Sequence, residues 1–367
     1  MVKKLLTEES NIHILGRTAQ TGEHAAIFWT GGGMEMDISA SELWVEFVSD
    51  YSLTELWISI EINGCVVARQ MLEKGVRRIC IFRNMNPSVT KHVRILRDTQ
   101  AMGHDPDCLL QISAVWHDGE ICPMEERKWK LEFVGDSITS GEGAIGARCE
   151  QDWIPMFFSA FRTYAVLTAD ALRADFHIVS QSGWGVVSSF DNNPHKALPD
   201  YYEYVCGVVA GERNRRLGAN ELYRFEQWQP DAVIINLGAN DAGAFRQEEA
   251  WYDPATGERF KQTLGDPKDI ERFKDKAVSF LEKIRSYNSK AHMVWAYGMA
   301  GREMLPYIHE AVERYTKRSG DSRVSVAELP ENNRDTMGAR QHPGAESHRQ
   351  SAGVLANHLK QILGIEA

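Results

Sequence analysis

Four short motifs carry side chains able to do chemistry, and they follow one another along the chain. Gly135-Asp136-Ser137 offers a hydroxyl, Ser180-Gln181-Ser182-Gly183 a glycine amide, Gly238-Ala239-Asn240-Asp241 a carboxamide and His342-Pro343-Gly344 an imidazole. Together they are the parts of an acyl-transfer site. A serine hydroxyl is a weak nucleophile until a base takes its proton during attack, and histidine titrates where that task requires. The tetrahedral intermediate then needs hydrogen-bond donors aimed at its oxyanion. The backbone N–H groups of Ser137 and Gly183 can supply two, and a glycine at 183 brings the main chain close with no Cβ in the way. Asn240 can add a third through a neutral amide, where an aspartate would repel the charge. On this reading Ser137 is the nucleophile, His342 the base, and Gly183 with Asn240 the oxyanion hole.

Residues so far apart in sequence need a scaffold that converges on one edge. From near Trp129 onward, short apolar runs alternate with helical stretches: Leu131–Val134, Phe176–Val179, Ala232–Leu237, Met293–Tyr297 and Val324–Ala327 read as strands. Ile270, Phe273, Ala277, Phe280, Leu281 and Ile284 form one stripe of an amphipathic helix that Asp266-Pro267 caps. Glu303–Tyr315 and Ser347–Leu363 also read as helices. Continuous apolar strands separated by helices predict a parallel sheet covered on both faces. Five such strands suit a flavodoxin-like doubly wound domain over residues 128–367, and ligands of such sheets bind beyond the carboxyl ends of the strands. The stretch from Ser188 to Gln229 is too long for a simple connection and is expected to carry substrate-facing loops as well as a helix.

Residues 1–127 have a different period. Met34–Ile38, Leu43–Val48, Leu56–Ile62 and Val93–Leu96 are β-branched or alternating runs, punctuated by Gly31-Gly32-Gly33, Asn63-Gly64 and Asn84–Ser88. Asn63-Gly64 is a two-residue hairpin turn. No helical period interrupts this region, so an all-β sandwich or jelly roll is expected.

In these blocks and their order, the chain resembles the SGNH (GDSL-like) hydrolases, from Lys130 to the C-terminus. The resemblance implies Ser137 as nucleophile, Gly183 and Asn240 as oxyanion hole and His342 as base. A narrower likeness is to carbohydrate esterase family 2. It rests on the β-sandwich placed before the catalytic domain, Phe28-Trp29-Thr30-Gly31, Gly183-Trp184-Gly185 and Trp295-Ala296-Tyr297-Gly298-Met299. That resemblance implies a metal-free esterase removing acetyl groups from plant polysaccharides or their fragments, of the acetyl xylan esterase type. One departure matters. SGNH enzymes usually carry Asp three residues before the histidine, and here that position is Ala339, within Ala339-Arg340-Gln341-His342. The Nδ1 proton of His342 still needs an acceptor. A backbone carbonyl near Arg340 is the first candidate and Asp335 the second, so a Ser–His dyad is the working model.

Other readings are weaker. Gly141-Glu142-Gly143-Ala144-Ile145-Gly146 matches Gly-x-Gly-x-x-Gly, but six residues separate it from the strand end at Val134 and Glu142 would face a pyrophosphate. It reads better as a flexible glycine loop beside the nucleophile. His342 and His348 have no third partner for a metal, and His348 reads as a helix-surface or structural residue. Trp184 and Trp295 are either core aromatics or platforms for a sugar ring, and Asp241 reads as a brace for its loop. A lipid or thioester hydrolase of the same superfamily, and a carbohydrate-binding protein with a degenerate hydrolase domain, stay open as alternatives.

The composition agrees with a globular enzyme. Of 367 residues, 43% are hydrophobic and 25% charged, with 41 Lys and Arg against 51 Asp and Glu and a net charge of −10. That balance argues against nucleic acid or an anionic membrane as partner. Arg213, Arg215 and Arg216 are expected on a solvated loop. The six cysteines form no Cys-x-x-Cys pair and read as free thiols of a reducing compartment. The N-terminal stretch shows no apolar run of signal-peptide length. A cytoplasmic protein is expected, acting without cofactor or metal on an acetylated oligosaccharide, with a homo-oligomer left open.

Overall fold

The computed structural model describes residues 2–6, 9–21 and 24–365, so Met1, Thr7 and Glu8 of the N-terminal stretch lie outside it, as do Gly22, Glu23, Glu366 and Ala367. In the strand Leu43–Asp50 every second residue is buried (Leu43, Val45, Phe47, Ser49), which is the two-residue period of a pleated strand with one wet face. The strands from Val2 to Cys122 form two six-stranded antiparallel sheets. One sheet has Leu109–His117 at its centre, the other Gly33–Ser39 and Lys91–Arg97. Met34, Met36, Val45, Phe47, Ile58, Val93 and Ile112 share one buried core between them. Asn63 (φ 51°) and Gly64 (φ 78°) make the expected hairpin turn between Leu56–Ile62 and Cys65–Leu72. Cys65–Leu72, Gly75–Phe82 and Leu109–His117 are strands that the sequence did not single out.

The second half holds a five-stranded sheet in which every neighbouring pair is parallel. Its spatial order is Ala174–Ser180, Trp129–Gly135, Ala232–Asn236, His292–Tyr297, Val324–Glu328. That is the 2-1-3-4-5 order of flavodoxin-like sheets. The helices Tyr164–Leu172 and Ala345–Leu363 bury Val166 and Leu355 against Phe133 and Ile234 on one face. Pro267–Tyr287 and Leu305–Ser319 bury Phe273, Phe280 and Ile308 against Val233 and Ile235 on the other. Asp266 caps the first of these by accepting the Lys268 N–H. The helix expected over 303–315 starts at Leu305, where Pro306 fits the first turn, and runs on to the left-handed cap at Gly320. Between the second and third strands, Ser188 to Gln229 is mostly irregular and contains one short α-helix, Glu212–Arg216, and two 3-10 turns, Leu198–Asp200 and Phe225–Gln227. Arg213, Arg215 and Arg216 therefore sit on a helix rather than a loop, each paired with an acidic residue at the surface.

Buried polar contacts tie the antiparallel sheets to the parallel one. Gly31 packs so closely on the strand Ala174–Ser180 that a Cβ there would lie 2.9 Å from Ile178 Cδ1. The Trp29 indole N–H donates to the Val205 carbonyl at 2.8 Å. Arg17 is fully buried, donates through Nε to Glu132 Oε1 at 2.9 Å and lies 4.4–4.7 Å from the rings of Tyr202, Tyr223 and Phe225. A buried charge left without its partner costs about 3–5 kcal/mol. Arg17→Met is therefore expected to lower the urea-unfolding free energy by up to about that amount, because it leaves the Glu132 charge without a cation and with the Tyr202 hydroxyl, 2.6 Å from Oε2, as its remaining side-chain donor. A loss below about 1 kcal/mol would show the pair to be expendable.

Candidate active site

Ser137 is placed by a sharp exit from the strand Trp129–Gly135. A Cβ on Gly135 would lie 2.0 Å from Thr139 Oγ1, so only glycine lets the chain fold back into the helical turn Ser137–Ser140. Asp136 caps that turn, accepting the Ile138 N–H at 3.0 Å, and Gly141 ends it in the left-handed conformation. The result is a nearly buried serine at the first position of a helix, in line with the carboxyl end of the sheet's second-position strand.

The structure brings His342 to it. Ser137 Oγ and His342 Nε2 are 2.9 Å apart, and His342 Nδ1 is 2.9 Å from the carbonyl oxygen of Arg340. The acceptor left open by Ala339 is thus a main-chain carbonyl, while Asp335 is exposed and its own N–H donates to Asn333. That carbonyl is aimed by an unusual turn. Arg340 (φ 55°, ψ 31°) and Gln341 (φ 60°) are consecutive non-glycine residues in the left-handed region. Each costs about 1–3 kcal/mol and persists only where the surroundings over-determine it. Arg340 N–H donates to Glu150 O at 2.8 Å and Gly338 N–H to His342 O at 2.9 Å. Arg340 Nε donates to Glu142 Oε1 at 2.9 Å.

Gly183 (φ 80°) follows the second strand, and Phe190, 49% exposed, lies beside it: a Cβ at 183 would be 3.3 Å from the ring. Asn240 opens the helix Ala239–Arg246 after the third strand. Its Nδ2 donates to Trp184 O at 3.0 Å and to Asp136 Oδ2 at 3.2 Å, so both amide protons have partners before any ligand arrives. Asp241 is the expected brace, its carboxylate accepting the N–H groups of Val186 and Val187 at 2.8 and 2.9 Å. A Cβ on Gly185 would lie 2.4 Å from that carboxylate, which explains the second glycine of Gly183-Trp184-Gly185.

Of the two tryptophans, Trp295 is core, fully buried with its indole N–H on Leu237 O. Trp184 is half-buried beside the site and packs edge-on against Tyr201 at 4.8 Å. His348 is not on a helix surface. It is fully buried, accepts the Tyr164 N–H at 3.0 Å and stacks on the Tyr164 ring, and burial pushes its pKa down to about 3. Among the described residues no three His, Cys, Asp or Glu side chains gather to hold a metal ion, and no helix is long and apolar enough to cross a membrane.

Sequence reasoning missed three contributors. Gln100, from the antiparallel region, accepts the Ser182 N–H at 2.7 Å and so braces the Gly183 loop. Phe190 has no sequence signal beyond its place in the long connection. Glu142 lies in a glycine motif that reads as mere flexibility, although a buried acid near a nucleophile is a signal in itself.

The sheet order, the strand ends that carry the four motifs and the Ser137–His342 contact are those of an SGNH-type hydrolase. The chain belongs to the GDSL-like lipase/acylhydrolase family, whose pattern matches residues 133–350. It is similar to an acetyl xylan esterase from the rumen bacterium Butyrivibrio proteoclasticus, with 40% identity and a TM-score of 0.97 over 99% of this chain and 100% of that one. A family two carbohydrate esterase from Clostridium thermocellum, solved with cellohexaose, shares the fold at 22% identity and a TM-score of 0.80, over 96% of this chain and 99% of that one. An acetylxylan esterase/glucomannan deacetylase of Cellvibrio japonicus (strain Ueda107) is 25% identical over 247 residues, which are 66% of this chain but 62% of that relative. The likeness to carbohydrate esterase family 2 thus extends through both halves of the fold.

Two acids under the site are held away from their charged forms. Burial, with Asp241 and Glu142 nearby, pushes Asp136 up to about 7, and burial pushes Asp241 up to about 6. An unfolded aspartate titrates near about 3.9. Between about pH 4 and the folded value, the folded chain holds a proton that the unfolded chain has released, so this group lowers stability as pH rises through that window. Asp136→Asn removes the titration. Its urea-unfolding free energy relative to wild type is expected to be higher at about pH 8 than at about pH 5, by at most about 1.4 kcal/mol per pH unit. A pH-independent difference would contradict the shift.

Proposed function

We propose that this GDSL-family esterase removes O-acetyl groups from saccharides derived from plant polysaccharide, in the manner of an acetyl xylan esterase. The observation that carries the reaction class is the 2.9 Å contact between Ser137 Oγ and His342 Nε2, with Nδ1 fixed on Arg340 O. That tautomer leaves Nε2 free to take the serine proton. Ser137 Oγ attacks the acetyl carbonyl as its proton passes to Nε2. The tetrahedral oxyanion is held by the N–H groups of Ser137 and Gly183, which glycine at 183 lets approach, and by Asn240. Asn240 reaches it by releasing its longer bond, the 3.2 Å contact to Asp136. Collapse expels the sugar oxygen, which takes the proton back from Nε2. Water then attacks the acetyl-serine with His342 again as base, and acetate leaves.

The substrate class rests on the 40%-identical acetyl xylan esterase and on two rings at the mouth of the site. The half-buried Trp184 and the exposed Phe190 flank Gly183, and the C–H face of a sugar packs on such surfaces. All six cysteines are free thiols, which suits a reducing compartment. We place the enzyme in the cytoplasm, acting on short oligosaccharides, and fractionation of source cells should recover the activity with cytoplasmic markers.

Activity on p-nitrophenyl acetate and on acetylated xylo-oligosaccharides is expected to vanish in Ser137→Ala and in His342→Ala. Asn240→Ala should lower kcat by about 10²–10³. Wild-type turnover in either of the first two variants would refute the mechanism. Rates should also fall steeply as the acyl chain grows beyond acetyl. A rise with chain length would point to a lipid or thioester hydrolase, and binding of saccharide without turnover to a carbohydrate-binding protein.

A further inference from the structure

The glycine motif beside the nucleophile has a use that its resemblance to a nucleotide loop conceals. Two of its glycines, Gly143 and Gly146, are where the histidine loop docks. A Cβ on Gly143 would lie 2.3 Å from the Ala339 carbonyl oxygen and 2.8 Å from His342 Cβ, and one on Gly146 would lie 3.1 Å from Ala339 Cβ. Ala339 N–H donates to Gly143 O at 3.1 Å, and a Cβ on Gly338 would meet that same oxygen at 1.9 Å. The two backbones are in direct contact, and a side chain at any of these positions would push the loop carrying His342 away from Ser137.

Between the glycines stands Glu142. Its N–H donates to Ser137 O at 3.0 Å, so it is tied to the nucleophile's own turn. Its side chain is 4% exposed, and Oε1 accepts from Arg340 Nε at 2.9 Å while lying 3.8 Å from His342 Nε2. A buried carboxylate needs a cationic or donating partner, and Arg340 is that partner. The same residue offers its carbonyl to His342 Nδ1. Arg340 also donates from Nη1 to Gln151 O at 3.1 Å, but that carbonyl belongs to an exposed segment. Glu142 is the buried contact that links the left-handed turn at Arg340 to the turn that holds Ser137.

We propose that Glu142 is the positioning residue for the base. Its carboxylate clamps the Arg340 guanidinium, and through it sets the Arg340 carbonyl that holds His342, so that an acid still orients the histidine, one residue removed. This rests on Ser137 and His342 being the catalytic pair, and it explains how the chain dispenses with an acid at Ala339. Glu142 makes no hydrogen bond to Ser137 Oγ or to His342 Nε2, from which its Oε1 stands 3.8 Å away. Its effect is on where the imidazole points.

The test compares Glu142→Gln, Glu142→Ala and Arg340→Met with wild type and with Ser137→Ala. In the clamp variants kcat on p-nitrophenyl acetate should fall by about 10- to 100-fold with KM within about twofold, because misorientation of the base acts on the chemical step and not on binding. The double variant Glu142→Gln with Arg340→Met should lose no more than the worse single one, since both break one link. The exchange-protected proton NMR signal of His342 Nδ1–H, assigned by its loss in His342→Gln, should be present in wild type and in Ser137→Ala but broadened or shifted in the clamp variants. A folded Glu142→Ala with kcat within twofold of wild type and an unchanged Nδ1–H signal would overturn the proposal. Should Glu142→Ala not fold, Arg340→Met read in the same way decides it. Failure of the underlying reading looks different: Ser137→Ala would then remain active, whatever the clamp variants do.

Discussion

A histidine that accepts a proton at Nε2 must have its Nδ1–H held by something, and in this chain the holder is a peptide carbonyl, Arg340 O at 2.9 Å. A carbonyl dipole stabilises an imidazolium less than a full carboxylate does, so what it contributes depends on direction. Direction is what the surrounding structure supplies. The carbonyl is turned inward by two consecutive left-handed residues, a conformation that neither Arg nor Gln favours. Main-chain bonds from Gly338, Ala339 and Arg340 and the contact with Glu142 hold it there. The close approaches at Gly143, Gly338 and Gly344, where a Cβ would come within 3 Å of backbone atoms, serve the same end. The neighbourhood of the base is built from main chain, and main chain cannot be swung away by a rotamer change.

The antiparallel sheets belong to this arrangement rather than standing apart from it. Arg17 is inserted among aromatic rings and paired with Glu132, on the strand that delivers Ser137. Arg97 is fully buried, and its guanidinium donates to the carbonyls of Thr99 and Gln100 at 2.8 and 2.7 Å. That fixes the segment from which Gln100 accepts the Ser182 N–H. A buried arginine is costly to desolvate; Arg17 joins the antiparallel half to the parallel sheet, and Arg97 holds the segment that meets Ser182. The Gly183 loop is thus braced from two elements: Gln100 behind Ser182 and, from the helix Ala239–Arg246, Asp241 behind Val186 and Val187 and Asn240 behind Trp184.

The order of the parallel strands and the four motifs at their ends were legible in the sequence because they depend on local properties. An apolar run such as Ala232–Asn236 is buried at every position, and Ser, Gly, Asn and His carry their chemistry in the side chain or in its absence. What was not legible depends on contacts between distant residues. Cys65–Leu72 is a strand whose side chains are mostly exposed, so it has no alternation to read. Arg17 is one arginine in a turn until Tyr202, Tyr223 and Phe225 close around it. His348 sits at a helical position that suits a surface as well as a core, and only the stacking on Tyr164 decides between them. The turn at Arg340 and Gln341 lacks the glycine or asparagine that usually announces a left-handed conformation, which is why the sequence left Asp335 beside a carbonyl near Arg340 as a candidate acceptor.

The buried aspartate next to the nucleophile gives the site its remaining logic. A charged Asp136 would oppose an oxyanion forming beside Ser137, and it would hold Asn240 Nδ2 in a charge-assisted bond. Burial and the nearby Asp241 and Glu142 instead push Asp136 up to about 7, which favours its protonated form. In that form it still caps the Ile138 N–H through one oxygen but grips Asn240 weakly, and the 3.2 Å contact is the longer of the two that Asn240 makes. In the proposed mechanism, negative charge building on the acyl oxygen would raise the cost of ionising Asp136 further. The two effects would act in the same direction: in that mechanism the charge that needs the Asn240 proton also keeps neutral the group that would otherwise retain it.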